Sequence, residues 1–251
     1  MLAGLHPNPK EVLEIGLSSG SWTWVMAAHA GVKKVTVVEI NPGYLELVGR
    51  YNPHKTILSS PKVQIHFDDA RRWLKRHPEA KFDLIVMNTT FHWRSNATNL
   101  LSKGFLEMCR NHLKEGGVVY YNTTGSDDVV FTAASVFRYV TKYWNFVAAS
   151  DRPFAMSMEE RRQNFLKFQV DGRAILDGGD PGMRTVLEEM VATDLQDKSE
   201  EIRRRPDLGV ITEDNMLTEY KKLQNPISDL YRWYDRGKAW TNFRPILDLL
   251  Q

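Results

Sequence analysis

Short β-type segments alternate with helical segments along the first 150 residues of the chain. The β-type segments are rich in β-branched and aromatic residues, and the segments between them carry apolar residues at helical spacing. Such alternation favours parallel strand pairing through right-handed crossovers. We therefore predict an α/β fold, a doubly wound and mostly parallel sheet with helices on both faces. The predicted strands are 11–16, 34–40, 63–67, 82–88, 117–123 and 145–150, and the predicted helices are 21–30, 42–51, 70–77, 101–113 and 127–143.

The remaining third of the chain has a weaker pattern. Residues 156–168 and most of 181–204 have the character of helices, and 168–176 has that of a strand around the turn Asp171-Gly172. With 251 residues and 42% hydrophobic content, the chain can bury one substantial core. We predict a cofactor-binding domain over residues 1–150 and a mainly helical C-terminal extension over residues 151–251 that completes or covers the sheet.

Composition narrows the classes of partner. The chain has 33 Lys plus Arg and 31 Asp plus Glu, so a net charge of +2 gives no general attraction to nucleic acid or to an anionic membrane. The single cysteine, Cys109, excludes intrachain disulfides and is expected in helix core, and seven scattered histidines predict no metal site. No apolar run approaches a membrane span. A cytoplasmic protein is expected, either by itself or as the cytosolic domain of a longer membrane-fused protein.

The stretch VLEIGLSSGSW, residues 12–22, contains the predicted turn between the first strand and the first helix. In a doubly wound sheet this turn holds the cofactor, because glycine lets the backbone approach the ligand and the next helix begins with free N–H groups. Gly16 and Gly20 lie there, although Ser18 replaces the second glycine of the dinucleotide fingerprint. Glu39 ends the second strand, where an acid accepts hydrogen bonds from a ribose, and Asp69 follows the third strand. Three such positions at successive strand ends predict a nucleotide-type site.

Several segments together resemble the spermidine synthase family of polyamine aminopropyltransferases, within the S-adenosylmethionine-dependent methyltransferase (Rossmann-like) fold. They are HPNPKEVLEIGLSSGSW, VKKVTVVEINP, DDARRWL, KFDLIVMNTT and LKEGGVVYYN, and ITEDNMLTEY resembles a C-terminal segment of synthase-like proteins. The resemblance implies S-adenosylmethionine or its decarboxylated form as cofactor, a small-molecule amine as substrate, and a homodimer. It also implies that Glu39 binds the ribose, Asp69 and Ala70 the adenine, and that the aminoalkyl or methionine part is lined by Gly16, Ser18, Ser19 and Gly20, with Asn88 and Thr89 at the substrate rim.

The chain departs from that family at catalytic positions. After the fourth strand the family has two aspartates, one of which takes the amine proton, whereas this chain has Asn88-Thr89-Thr90-Phe91-His92. Ser19 replaces the acid of the glycine loop, and we expect the chain to lack the small N-terminal β domain of the family. Glu14, in contrast, restores an acid typical of methyltransferases, where it helps to hold the methionine end of the intact cofactor. Aminopropyl-type transfer, N-methyl transfer and a non-catalytic ligand-binding domain are therefore all carried as hypotheses.

Candidate catalytic residues lie in the segment after the fourth strand. Asn88 would accept from and position the nucleophilic nitrogen, Phe91 would stack on the substrate, as in amino-methyltransferases, and His92 is the nearest candidate base. Asp127, after the fifth strand, and Asp214, in the C-terminal segment, are candidate contacts for a cationic substrate. A favourable helix dipole explains Asp127 equally well, and a helix cap explains Asp214.

Overall fold

The computed structural model describes residues 2–51, 55–87, 97–123, 125–176, 179–215 and 217. Within them, the strands are β1 Glu11–Ile15, β2 Lys34–Glu39, β3 Val63–Phe67, β4 Phe82–Met87, β5 Leu113–Asn122, β6 Tyr139–Tyr143, β7 Phe146–Ser150, β8 Gln169–Val170 and β9 Arg173–Ala174. The helices are α1 Leu2–Leu5, α2 Ser21–Ala28, α3 Gly43–Tyr51, α4 Ala70–Arg76, α5 Lys103–Asn111, α6 Asp127–Val136, α7 Met158–Phe165, α8 Pro181–Val191 and α9 Ser199–Arg203, with 3-10 turns at Lys55–Ser59 and Ala97–Leu100.

Seven strands form one twisted sheet in the order β3-β2-β1-β4-β5-β7-β6. The first five in this order are parallel, and β7 runs antiparallel to both β5 and β6. Glu14 of β1 lies in register with Val37 of β2 and Val86 of β4, so these strands end at the same edge. The predicted doubly wound, mostly parallel α/β sheet is confirmed.

Apolar side chains cover both faces of this sheet, as expected for strands that are buried on two sides. Leu13 and Ile85 point to the face covered by α4, α5 and α6, where Cys109 is also buried. Val12 and Leu84 point to the opposite face, beneath α2. The alternation along each strand therefore contributes to two cores, which explains why the strand segments read as nearly continuous apolar runs.

The prediction of one helix over residues 127–143 is wrong in its last part. Helix α6 ends at Val136, and residues 139–143 form the edge strand β6 instead. The guanidinium of Arg203 in α9 donates to the carbonyl oxygens of Ala134 and Phe137, at 2.9 and 2.8 Å, which satisfies the end of α6. Apolar residues in this stretch fit either a helix or a strand, and a contact from a distant helix stabilises the break.

One smaller difference in a strand boundary follows from strand pairing. β5 begins at Leu113 rather than at residue 117, because Leu113 lies beside Phe82 of β4. The turn Asp171-Gly172 joins the two short strands β8 and β9, as predicted.

None of the helices in the described part of the chain has the length and apolarity that a bilayer crossing requires.

The C-terminal extension lies along the sheet and against α1. α7 and α8 form a third apolar cluster that includes Ala3 of α1, and Asn164 donates to the carbonyl oxygens of Ala3 and His6. At the other end of the sheet, the amide of Lys198 donates to Val140 of the edge strand β6, at 2.6 Å. The division of the chain at residue 150 stays a prediction.

Candidate functional site

The turn between β1 and α2 has a backbone that favours glycine at both ends. Gly16 and Gly20 have φ angles of 91° and 77°, in the region that L side chains rarely adopt, and Ser18 between them has a φ of 48°. A Cβ atom added to Gly20 would lie 2.5 Å from Ile57 Cδ1. Because Gly20 carries no side chain, it leaves the first amide groups of α2 without a side-chain cap. This geometry suits the approach of a polar ligand to the backbone.

Glu39, at the end of β2, fixes this turn. One oxygen of its carboxylate accepts from the amides of Leu17, at 2.6 Å, and Ser18, at 3.5 Å, and the other accepts from Asn41, at 2.8 Å. The side chain is only 3% exposed. Since a carboxylate can accept about four hydrogen bonds, Glu39 retains capacity for one more donor. That remaining acceptor position fits a ribose hydroxyl, and the role of Glu39 as a ribose ligand stays a prediction.

Glu14 lies beneath the turn on β1 and is also 3% exposed. Its Oε2 accepts from the hydroxyl of Thr23 in α2, at 2.5 Å. Burial raises the pKa of Glu14 to about 8, the Thr23 hydrogen bond opposes that rise, and the nearby Glu39 carboxylate adds to it. At neutral pH the carboxyl is therefore mostly protonated and ties α2 to the sheet. Its role as a ligand for the methionine end of a cofactor stays a prediction.

Asp69 and Ala70 follow β3 next to the same edge. The Asp69 carboxylate accepts from the amide of Arg72, at 3.0 Å, and so caps α4. The amide of Asp68 donates to the carbonyl oxygen of Glu39, at 3.1 Å, which joins the start of α4 to the end of β2. The capping role of Asp69 was not foreseen, and its contact with an adenine, together with that of Ala70, stays a prediction.

Two exposed apolar residues beside these acids were not identified from the sequence. Ile40 directly follows Glu39 and is 72% exposed, and Phe67 ends β3 in register with Glu39 and is 48% exposed. They place apolar surface next to the polar groups of the strand ends, a combination typical of small-ligand sites. The sequence carried a signal for Ile40, because an apolar residue directly follows the acid Glu39 at the end of a predicted strand.

Three aromatic rings pack together on the face of the sheet that α2 covers. The ring of Trp22, in the first turn of α2, lies 6.0 Å from that of Tyr120 and 5.5 Å from that of Phe146, centroid to centroid. Tyr120 and Phe146 are themselves stacked, at 5.1 Å. This packing holds α2, the helix that follows the glycine turn, against the sheet. Trp22 therefore supports the site indirectly, by fixing the position of α2.

The predicted catalytic residues Asn88, Phe91 and His92, with Thr89, lie outside the described residues. Met87, the last residue of β4, lies in register with Ile15, immediately before Gly16. β4 therefore ends beside the glycine turn, and the roles of these four residues stay predictions.

Asp127 and Asp214, the predicted substrate contacts, occupy different surroundings. Asp127 lies in the first turn of α6 and pairs with Lys142, at 2.7 Å, and Arg205, at 3.7 Å. Asp214 is exposed. Both substrate roles stay predictions. Among the described residues, no group of three or more His, Cys, Asp or Glu side chains is arranged to hold a metal ion.

A mostly parallel sheet in the order β3-β2-β1-β4-β5-β7-β6, with a glycine turn and an acid at adjoining strand ends, defines an α/β protein of the methyltransferase type. Residues 1–173 match the spermine/spermidine synthase domain, so the chain belongs to the spermine/spermidine synthase family. It is 26% identical over 148 residues to a spermine synthase of Arabidopsis thaliana, which covers 56% of this chain and 41% of that protein. The chain spans less than half the length of the first three curated relatives that it matches.

Solved structures show the same fold. A spermidine synthase in complex with the transition-state analogue AdoDATO superimposes with a TM-score of 0.58 at 20% identity, over 76% of this chain and 69% of the other. Human methyltransferase-like protein 13, in complex with SAH, superimposes with a TM-score of 0.52 at 17% identity, over 77% and 89% of the two chains. The predicted methyltransferase-type fold and family are both confirmed.

Proposed function

We propose that this chain transfers an aminopropyl-type group from decarboxylated S-adenosylmethionine, or a related group from S-adenosylmethionine, to a small-molecule amine. The observation that carries the proposal is the contact between Glu39 and the amides of Leu17 and Ser18, which joins the ends of β1 and β2 into one polar site. Family membership supports the same chemistry.

The sulfonium cofactor, when bound, supplies an electrophilic carbon attached to positively charged sulfur. Displacement at this carbon would join it to the amine nitrogen, leave the electron pair of the broken carbon–sulfur bond on sulfur, and release a proton from the nitrogen. The chain would mainly align the two reactants, since proximity and orientation account for much of the rate of such displacements. Asn88 would position the nitrogen, and His92 is the candidate base for its proton.

Methyl transfer from the intact cofactor is the rival chemistry, and it depends on Glu14 as a ligand for the methionine end. Burial of Glu14 and its hydrogen bond to Thr23 favour a structural role for this carboxyl. A non-catalytic binding domain is the remaining rival. Cytosolic location, self-association as a homodimer and the absence of nucleic-acid ligands also stay predictions.

Calorimetric titration of the chain with decarboxylated and, separately, intact S-adenosylmethionine tests the proposal. Tighter binding of the decarboxylated form supports aminopropyl transfer, and tighter binding of the intact form supports transfer of a methyl or carboxyl-bearing alkyl group. Loss of the Glu39 charge in Glu39→Gln should weaken binding roughly tenfold to a hundredfold, since it weakens one charge-assisted hydrogen bond. Glu46→Gln, at an exposed position of α3, is the matched control. If neither compound binds, the proposal is wrong.

Turnover separates an enzyme from a binding domain. The chain is incubated with the tighter-binding cofactor and a panel of mono- and diamines, and the alkylated amine is detected by mass spectrometry. If the wild type forms alkylated amine and neither Asn88→Ala nor Glu39→Ala does, the result supports the hypothesis that the chain is an enzyme. Binding without product from any amine supports the non-catalytic rival.

A further inference from the structure

Residues 208–215, here called the C-terminal strap, lie beyond the residues that match the family domain. The amide of Gly209 donates to the Asp128 carboxylate, at 2.8 Å, and that of Ile211 donates to the Thr132 hydroxyl, at 2.9 Å. The side chain of Ile211 is fully buried in the apolar cluster beneath α4, α5 and α6. The strap is therefore fixed to the fold on the face that these three helices cover.

Glu213 of the strap contacts the first turn of α4. Its Oε1 accepts from the guanidinium of Arg71, at 2.6 Å, and lies 2.9 Å from Ser102 Oγ, the N-cap of α5. The same guanidinium donates to the carbonyl oxygen of Asn99, at 3.0 Å, and lies 5.7 Å from the ring centroid of Phe105. Groups outside α4 therefore hold Arg71, and with it the turn of α4 that carries this residue.

Gly104 leaves room for the carboxylate of Glu213. A Cβ atom at Gly104 would lie 2.7 Å from Glu213 Oε1, so any side chain there would displace the carboxylate. Burial by itself raises the pKa of Glu213, but hydrogen bonds from Arg71 and Ser102 outweigh it and hold the pKa below its ordinary value. The group is therefore charged at neutral pH, and its contact with Arg71 is an ion pair.

The segment that leads from β3 into α4 is held on two sides. On one side, the amide of Asp68 donates to the carbonyl oxygen of the last residue of β2, at 3.1 Å. On the other side, the ion pair of Arg71 with Glu213 joins α4 to the strap. The two residues between these contacts are Asp69 and Ala70, the predicted adenine ligands. Their position therefore depends on both contacts.

We propose that Glu213 is a positioning residue for the adenine end of the cofactor, an inference that rests on the proposed function and on Asp69 and Ala70 as adenine ligands. Adenine has a hydrogen-bond donor at its amino group and an acceptor at N1, which match a carboxylate and a backbone N–H. Hypoxanthine has a carbonyl oxygen and an N–H at these positions, so the same two protein groups cannot pair with it. Because Arg71 directly follows Ala70, loss of the Glu213 contact should shift these groups and reduce the preference for adenine.

The test compares the tighter-binding cofactor with the same compound that carries hypoxanthine in place of adenine, by calorimetric titration of the full chain. The measured quantity is the ratio of the two dissociation constants within each variant. A smaller fraction of folded protein lowers both apparent affinities alike, so a general loss of stability leaves this ratio unchanged. We expect the wild type to prefer the adenine compound roughly tenfold or more, since hypoxanthine leaves the polar groups of the site unpaired.

Three substitutions disturb the same contact from different sides. Glu213→Ala removes the carboxylate, Gly104→Ala displaces it, and Arg71→Gln removes its partner. Each should lower the preference for adenine roughly threefold or more, through weaker binding of the adenine compound. The double variant Arg71→Gln/Glu213→Ala should lose less than the sum of the two single effects, because both act through one ion pair. Glu201→Ala, at an exposed position of α9, is the control and should keep the wild-type ratio.

The outcomes are distinguishable. A preference for adenine that Glu213→Ala and Gly104→Ala leave unchanged refutes the inference alone, and so does a wild-type chain that binds the two compounds equally. Fully additive effects of Glu213→Ala and Arg71→Gln also refute it, because Glu213 would then act through a contact other than Arg71. Absence of binding of both cofactors to the wild type refutes the proposed function, and this inference with it.

Discussion

Addition of one methyl group at Gly20 tests the geometry of the glycine turn. Gly20→Ala would place a Cβ atom on a residue with a φ of 77°, which costs about 1–2 kcal/mol for an L side chain. That atom would also lie 2.5 Å from Ile57 Cδ1, and overpacking of this kind costs about 1–3 kcal/mol. We expect Gly20→Ala to lower the free energy of unfolding by about 3 kcal/mol in total. A domain of ordinary stability remains folded after such a loss.

A second substitution separates the two contributions. Ile57→Val removes the Cδ1 atom that the new methyl group would meet, and by itself it should cost about 1 kcal/mol, because Ile57 is buried. In the Gly20→Ala background the same change should relieve the overlap, so the double variant should be more stable than the sum of the single effects by about 1 kcal/mol or more. The cost of the positive φ angle should remain.

Urea denaturation of the four proteins, followed by circular dichroism at one pH, gives the required free energies. Gly49→Ala is the matched control, because Gly49 lies on the exposed face of α3 and a Cβ there would meet Leu58 Cδ1 at an ordinary 3.6 Å. It should stabilise the protein by about 1 kcal/mol through helix propensity. Unchanged stability in Gly20→Ala, or strictly additive effects of Gly20→Ala and Ile57→Val, would show that this account of the turn is wrong.

Three further predictions concern buried polar groups. Glu14 has a folded pKa of about 8, above its ordinary value of 4.5, so the unfolded chain ionises first and stability should fall as pH rises from about 4.5 to about 8. Glu14→Gln should flatten that slope in denaturation curves recorded across the range, whereas the exposed Glu46→Gln should leave it unchanged. Asp83 accepts from the amides of Lys10 and Glu11, at 2.9 and 2.8 Å, so Asp83→Ala should cost about 3 kcal/mol, and equal stability of variant and wild type would contradict this. The Tyr121 hydroxyl is buried without a hydrogen-bond partner among the described residues, so Tyr121→Phe should keep or raise the thermal midpoint, and a marked drop would reveal a partner.

Much of the fold was predictable because its signals are local. The segments that became β1 to β5 and β7 contain β-branched and aromatic runs, and the helices between them show apolar spacing and ordinary start and stop residues. β6 was not predictable, because its apolar residues fit either a helix or a strand. Its partner β7 and the Arg203 contact at the end of α6 select the strand.

The arrangement of the strand ends around the glycine turn was predictable in part. Gly16, Gly20 and Glu39 were expected together, because parallel strands bring their carboxyl ends to one edge, and Glu39 indeed contacts the turn between the two glycines. The sequence did not reveal that Glu14 bonds to Thr23, or that Asp69 caps α4. Thr23 comes within reach of Glu14 only when α2 packs on β1, whereas the Asp69 cap is a local contact across three residues, of the kind that an aspartate before a helix favours.

The sequence by itself determined the class of fold, the position of the glycine turn and the family, since each depends on residue types at short and regular spacings. The tertiary structure decided which side chains Glu213 contacts, because Arg71 and Ser102 lie more than a hundred positions from it in the sequence. It also decided the protonation of Glu14, because the pKa of a carboxyl depends on the water and charge around it rather than on its neighbours in the chain. Local patterns thus specify the sheet and its turn, and long-range packing specifies the electrostatics and the supporting contacts of the site.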